Sequence, residues 1–280
     1  MYRKYWGLVE KPFNNTMDHH FLFYSKEHEE ALVRMLYTVS EAKGVMLLTG
    51  EPGVGKTFLC AAFSRELATK GYQVGMVVDP ATGPLEILVQ VAYELGLELS
   101  EHPSTYSKAQ LVRAMMDRCQ ENLEEGNATI VIIDEAQVIQ DEHTWEELRL
   151  LSNFKDEGHY LLTLILVGGV KLKKQIKAQP ELAQRIGVHY QLQSMSERET
   201  REYIDHRLRI AGAQREVFSV GALKEIFLYS QGLPLKVNNI CDLALLIACS
   251  QQAAAVSPRV VQQAVEELVE FSGYARERPN

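Results

Sequence analysis

Residues 45–63 constrain the chain more than any other stretch. Val45 to Thr49 is an apolar run of strand character, Gly50-Glu51-Pro52-Gly53-Val54-Gly55-Lys56-Thr57 is a glycine-rich turn ending in Lys-Thr, and Phe58 to Phe63 continues as an amphipathic helix. This is the context that a nucleoside-triphosphate phosphate loop requires. Gly50, Gly53 and Gly55 let the backbone bend without a Cβ in the way, so that successive N–H groups face the phosphates at a helix start. Lys56 adds a mobile positive charge for the β- and γ-phosphates, and the Thr57 hydroxyl is placed for Mg2+. The whole run from Gly50 to Thr57, with Phe58 on the first helical turn, is therefore assigned to nucleotide binding, with ATP and Mg2+ as the expected ligands.

A chain of 280 residues, 46% hydrophobic and 24% charged, can bury a substantial core and is long enough for two domains. Its longest apolar stretches, such as Leu161 to Val170, are too short to cross a bilayer and carry no signal-peptide pattern. They point to a soluble cytoplasmic protein without an integral membrane segment. Cys60, Cys119, Cys241 and Cys249 lack metal-ligand spacing and read as buried thiols. The net charge of −8 argues against a surface coated with nonspecific nucleic-acid contacts, yet it leaves room for a local basic patch at Lys171, Lys173, Lys174 and Lys177.

The hydrophobic pattern divides the chain in two. The segment from Met1 to Tyr24 is rich in aromatics without a sustained period, and a helix over Lys26 to Val39 sets Ala31, Leu32, Met35 and Leu36 on one face. Strands are expected over Gln73 to Val78, Ala128 to Ile133, Leu161 to Val167 and Ile186 to Leu192. Helices are expected from Pro84, through Arg118 after a loop at Ser100 to Thr105, and over Glu142 to Asp156, with Glu121 to Asn127 as a polar turn. From Ser194 the pattern is all helical: Ser196 to Ile210, Ser219 to Ser230, Pro234 to Ser250 and Pro258 to Phe271. The expectation is an α/β nucleotide-binding domain over residues 1–193, including the aromatic segment, and a small helical domain over 194–280.

Asp134 and Glu135 close the apolar run Ile130 to Ile133, where a strand tip of an open α/β sheet presents its functional groups. Beside a phosphate loop, Asp134 is suited to orient Mg2+ through its water shell, and Glu135 to position or activate the water that attacks the γ-phosphate. Charge spreading over the transferring phosphoryl oxygens calls for a further cation, and arginine supplies one well from a neighbouring domain or subunit. Arg185, just before the last strand, stands open between that role and a plain surface charge.

Several further motifs resemble the ExeA/GspA-type AAA+ ATPases over nearly the whole chain. They include Tyr5-Trp6-Gly7-Leu8 with Pro12-Phe13, Ile132-Ile133-Asp134-Glu135-Ala136-Gln137, Gln184-Arg185-Ile186, Glu199-Thr200, His206-Arg207-Leu208 and Asn238-Asn239-Ile240-Cys241-Asp242. The resemblance implies a P-loop AAA+ core, with a parallel sheet flanked by helices and a small all-helical lid after it. It also implies a homo-oligomer in which Arg185 serves the site of the adjacent protomer, and a contribution of Asn15 to Asp18 to the adenine side. Two positions depart from the family pattern. Gly169 stands where relatives carry a polar residue, and Leu235 replaces an arginine, leaving Lys236 as the nearest positive charge and a candidate lid contact. Lys236 is rotated by roughly 100° from Leu235 along a helix. The two departures favour a slow, partner-controlled ATPase over a fast motor.

The process remains divided between readings. Transposon target-selection ATPases of the TniB/TnsC/MuB-like group also resemble this chain, and Lys171, Lys173, Lys174 and Lys177 offer contacts for double-stranded DNA alongside a transposase partner. The alternatives are a GspA/ExeA-type secretion or envelope-assembly ATPase and a nucleotide-gated protein scaffold. The sequence shows neither a membrane-spanning nor a wall-binding extension after the lid, which counts against a direct secretion assignment and leaves transposition and secretion evenly balanced.

Overall fold

The computed structural model describes residues 2–16, 18–80, 83–99 and 106–272. The loop expected at Ser100 to Thr105 and the stretch from Gly273 to Asn280 lie outside them. In chain order the helices are α1 (Tyr2–Trp6), α2 (Lys26–Ser40), α3 (Lys56–Thr69), α4 (Pro84–Glu94), α5 (Lys108–Glu124), α6 (Glu142–Leu151), α7 (Leu172–Lys177), α8 (Pro180–Ala183), α9 (Glu197–Ile210), α10 (Val220–Ser230), α11 (Pro234–Ser250) and α12 (Pro258–Ser272). The strands are β1 (Val45–Gly50), β2 (Gln73–Val77), β3 (Thr129–Ile133), β4 (Lys155–Asp156), β5 (His159–Tyr160), β6 (Leu162–Gly168) and β7 (Ile186–Leu192). These elements form two compact units. One comprises His28–Pro52 and Lys56–Leu192, and the other the described residues of Met1–Glu27 and Gln193–Asn280 together with Gly53–Gly55.

The first unit is a parallel five-stranded sheet in the order β2-β3-β6-β1-β7. The three inner strands, β3, β6 and β1, are buried along their whole length, which is why their sequences are continuous apolar runs rather than alternating ones. The edge strand β7 is only half-buried. Register sets the site: Thr49 pairs with Gly168, and Ile133 pairs with Leu166. The carboxyl ends of β1, β6 and β3 therefore open on one edge of the sheet.

Local chemistry fixes the helix ends. Ser107 and Gln110 form a reciprocal capping box at the start of α5, Asp141 caps α6 through Thr144 N, and Pro84 opens α4 at the position where its missing N–H costs nothing. Three expectations shift. Helix α5 continues through Glu124 before Gly126 (φ 81°) ends it, because Glu121 and Glu124 face solvent and a polar helix end reads much like a turn. Helix α6 stops at Leu151; the residues after it form the β4–β5 hairpin, whose turn uses left-handed Glu157 and Gly158 (φ 45° and 89°). In α2 the buried positions are His28, Ala31, Met35, Thr38 and Val39, whereas Leu36 is exposed.

The second unit corrects the placement of the aromatic segment. Tyr2, Trp6, Leu8, Phe13 and Phe21 are buried in the core built by α9 to α12, not against the sheet. Trp6 Nε1 donates to Leu245 O (3.0 Å), and Tyr5 Oη donates to Ala253 O (2.9 Å). Buried Arg207 anchors the segment from the other side. Its guanidinium donates to Tyr203 Oη (2.6 Å), Asn238 Oδ1 (2.9 Å) and Asn14 O (3.1 Å), and it lies over the Phe21 ring. A sequence without period carries no sign of which surface it will cover, so the aromatics alone could not assign it. Replacing Trp6 by alanine removes a fully buried indole and its hydrogen bond, with an expected loss of about 3–5 kcal/mol from the helical unit. Denaturant unfolding checks this; a loss below about 1 kcal/mol would contradict the placement.

Candidate functional site

The phosphate-loop turn is carried by two glycines rather than three. Gly50 ends β1, while Gly53 (φ 80°) and Gly55 (φ 105°) occupy the left-handed region that disfavours a Cβ. Val54 is buried, and Lys56 begins α3 as a buried cation. Its ammonium donates to Gly50 O and Glu51 O, both at 3.1 Å, so the side chain folds back over the loop. Phe58 is half-buried on the same turn of α3, and Glu51 and Pro52 are exposed.

Thr57 and Asp134 meet. Thr57 Oγ1 donates to Asp134 Oδ2 (2.5 Å), while Asp134 Oδ1 accepts from Glu135 N (2.8 Å) and Asp134 N donates to Val77 O (2.8 Å). The last of these extends the β2–β3 ladder by one residue and fixes Asp134 at the strand tip with no exposed surface. Burial raises the Asp134 carboxyl above its ordinary range; the bonds from Thr57 and Glu135 N oppose that shift, and the Glu135 charge adds to it. Burial likewise lowers Lys56, against the pull of Glu135 and Asp134. Each of these charges is costly without a counter-charge. A Mg2+-bound triphosphate would offset both, giving Asp134 a cation and Lys56 an anion, so the donor set fits that ligand.

Glu135 is the group that the backbone shapes most. Its φ and ψ of 50° and 29° are left-handed, an arrangement that costs a non-glycine residue on the order of 1 kcal/mol or more and persists only where neighbours over-determine it. One such neighbour went unremarked in the sequence as a functional residue. Gln137 Nε2 donates to Glu135 Oε2, Gln137 Oε1 accepts from Gly169 N (2.9 Å), and Gln175 Nε2 donates to Gln137 O (3.0 Å) and Ile139 O (3.2 Å). The signals for it were an amide two positions after Glu135 and the bare Gly168-Gly169 end of the next strand.

Arg185 lies between α8 and β7, beside Lys43, Tyr160, Glu181, Gln184 and Gly187, and its buried Nε has no hydrogen-bond partner among the described residues. Ile186, the next residue, pairs with Val45 at the start of β1, whereas the phosphate loop leaves from the far end of that strand. At about 3.3 Å per residue the two ends are roughly 17 Å apart. Arg185 therefore does not join Lys56, Thr57 and Asp134 within one chain. Lys171, Lys173, Lys174 and Lys177 are all exposed on and beside α7, whose Leu172 and Ile176 face the core. In the helical unit, Asn15 is bonded to Asn238 and Asn239. Lys236 is half-buried in the first turn of α11. In that same unit Leu235 N donates to Gly53 O (3.2 Å). Met17, within the stretch expected near the adenine, lies outside the described residues.

Comparisons with known proteins bear on the family and the fold. Residues 39–176 match the family described as AAA domain. The General secretion pathway protein A of Aeromonas hydrophila is 32% identical over 251 residues, which are 89% of this chain and 45% of that protein, so the chain spans less than half the length of this relative. Among solved structures, the Cdc6p of Pyrobaculum aerophilum superposes with a TM-score of 0.72 at 14% identity, covering 93% of this chain and 71% of that one. The Aeropyrum pernix ORC2 protein gives 0.68 at 19% identity, covering 92% and 71%. These two likenesses carry the fold alone. If Lys56 is the phosphate ligand that its position suggests, Lys56→Ala lowers ATP affinity by about tenfold or more while the fold is kept. Calorimetric titration measures it, and an unchanged affinity would reject the assignment.

Proposed function

Taking as premise a chain that carries an AAA+ ATPase domain of P-loop fold and resembles the GspA/ExeA family over most of its length, we propose that it is the ATP-hydrolysing, partner-controlled unit of a GspA-type secretion or envelope-assembly machine. The convergence of Thr57 and Asp134 beside Lys56 carries the hydrolase part of this reading. Likeness to General secretion pathway protein A carries the process. The chain spans 45% of that relative, so the point where this sequence stops carries no argument against secretion.

In this reading the backbone N–H groups of the loop and the Lys56 ammonium hold the triphosphate, exchanging the Gly50 and Glu51 carbonyls for phosphate oxygens. Thr57 and Asp134 hold Mg2+, which when bound neutralises charge on the β- and γ-phosphates. Glu135 orients a water and accepts its proton as the water oxygen bonds to the γ-phosphorus, and the bond to the β–γ bridging oxygen breaks to release ADP. Arg185 serves the site of a neighbouring copy in a homo-oligomer, since its own site is a strand length away. Gly169 and Leu235, at positions where the family pattern expects polar or cationic side chains, support slow turnover awaiting a partner.

A second reading keeps a specific support. The exposed lysines on and beside α7 present four cations, and the fold is shared with a solved structure of Drosophila ORC bound to DNA, with a TM-score of 0.67 at 17% identity. A DNA-associated role, including target selection with a transposase, rests on that patch. Glu135→Gln leaves ATP affinity within about threefold and lowers turnover by about 100-fold or more. Steady-state phosphate release with and without duplex DNA measures both points. Equal turnover in the two proteins would remove Glu135 from its role, and salt-sensitive stimulation by DNA would move the process to the second reading. In mixed assemblies, Arg185→Ala and Asp134→Ala subunits together regain part of the activity that each lacks alone; intact assemblies with no recovery would exclude action between protomers.

A further inference from the structure

The end of β6 offers no side chain to the site. Gly168 and Gly169 are bare, and a Cβ on Gly168 would fall 2.2 Å from Gln137 Oε1. The space is filled by the Gln137 amide, from the 3-10 turn over Ala136–Val138 that follows β3. The Gly169 N–H can be met only by the amide oxygen, at 2.9 Å, and this turns the amide nitrogen onto the Glu135 carboxylate. The chain around Gln137 is itself fixed, because Gln175 donates to the carbonyls of Gln137 and Ile139 and Val138 N donates to Glu135 O. One oxygen of Glu135 is thus tied to an anchored donor, and the other has no hydrogen-bond partner among the described residues.

We propose that Gln137 is a positioning residue that aims the Glu135 carboxylate, supplying from the β3 side the polar group that the glycine end of β6 lacks. This rests on the hydrolase reading above. A side chain held at both ends fixes the plane of the carboxylate and with it the direction in which the free oxygen meets a water. An error of about 1 Å at such a point costs on the order of 100-fold in rate. The bare Gly168 follows from the same arrangement, since any side chain there would displace the amide oxygen.

The test is steady-state and single-turnover hydrolysis by wild type, Gln137→Ala and Gln137→Met, with ATP affinity measured in parallel. Methionine keeps the length and packing of the side chain while removing both hydrogen bonds. Both variants lower kcat by about tenfold or more, with KM and ATP affinity within about twofold of wild type. The double variant Gln137→Ala with Gly169→Asn recovers a large part of the lost kcat. A Cβ at position 169 meets nothing nearer than Gln137 Cδ at 3.9 Å, an atom that alanine removes, so the amide can return from β6. The proposal is overturned by kcat unchanged in both single variants, by a fall in kcat matched by an equal fall in ATP affinity, or by a double variant no faster than Gln137→Ala. Wild type no faster than Glu135→Gln overturns the hydrolase reading and this role with it, an outcome separate from the other three.

Discussion

The hydrogen bond from Thr57 to Asp134 ties the first turn of α3 to the tip of β3, two elements distant in sequence, and β6 stands in the sheet between β3 and the β1 strand that leads into α3. The proposed chemistry depends on that meeting. It requires β1, β6 and β3 to be parallel and to end together, which the Thr49–Gly168 and Ile133–Leu166 pairs secure. It also requires a buried carboxylate, and the same burial that lifts the Asp134 carboxyl out of its ordinary range makes the position receptive to a cation. Lys56 is the mirror case, a buried ammonium whose resting partners are two loop carbonyls rather than an anion.

Around this centre, side chains are absent where a neighbour must pass. The left-handed Gly53 and Gly55 shape the loop, and Gly168 clears the path of the Gln137 amide. Left-handed Glu135 is the opposite case, a full side chain held in a glycine-like conformation by bonds from both of its ends. The β6 end, bare in sequence, is thus not bare of polar groups in space. That weakens the inference from Gly169 alone that nothing polar stands there, although the Leu235 departure remains.

The sequence was most legible where one physical demand dominates. An apolar strand, a glycine turn and an amphipathic helix fixed the phosphate loop, and the fully apolar run before Asp134 marked a strand covered on both faces. Local signals also placed Ser196 and Ser219 at helix starts. What stayed hidden needed tertiary knowledge. The burial of Trp6 and Phe13 among α9 to α12 is a long-range choice that aromatic content cannot encode. The β4–β5 hairpin was masked by its polar residues, which suit a helix end equally well. Gln137 lay in a motif already noted, but its role emerges only when β6 is seen to be its neighbour.

A double-mutant cycle on Thr57→Val and Asp134→Asn, reading the ratio of ATP affinity with Mg2+ to that without, tests the central claim most directly. If both side chains serve one bound cation, each single change removes most of the Mg2+-dependent gain and the double change adds little more, a coupling of about 1 kcal/mol or greater. Losses that simply add, or a Mg2+ dependence untouched by either change, would contradict a shared site and the account built on it.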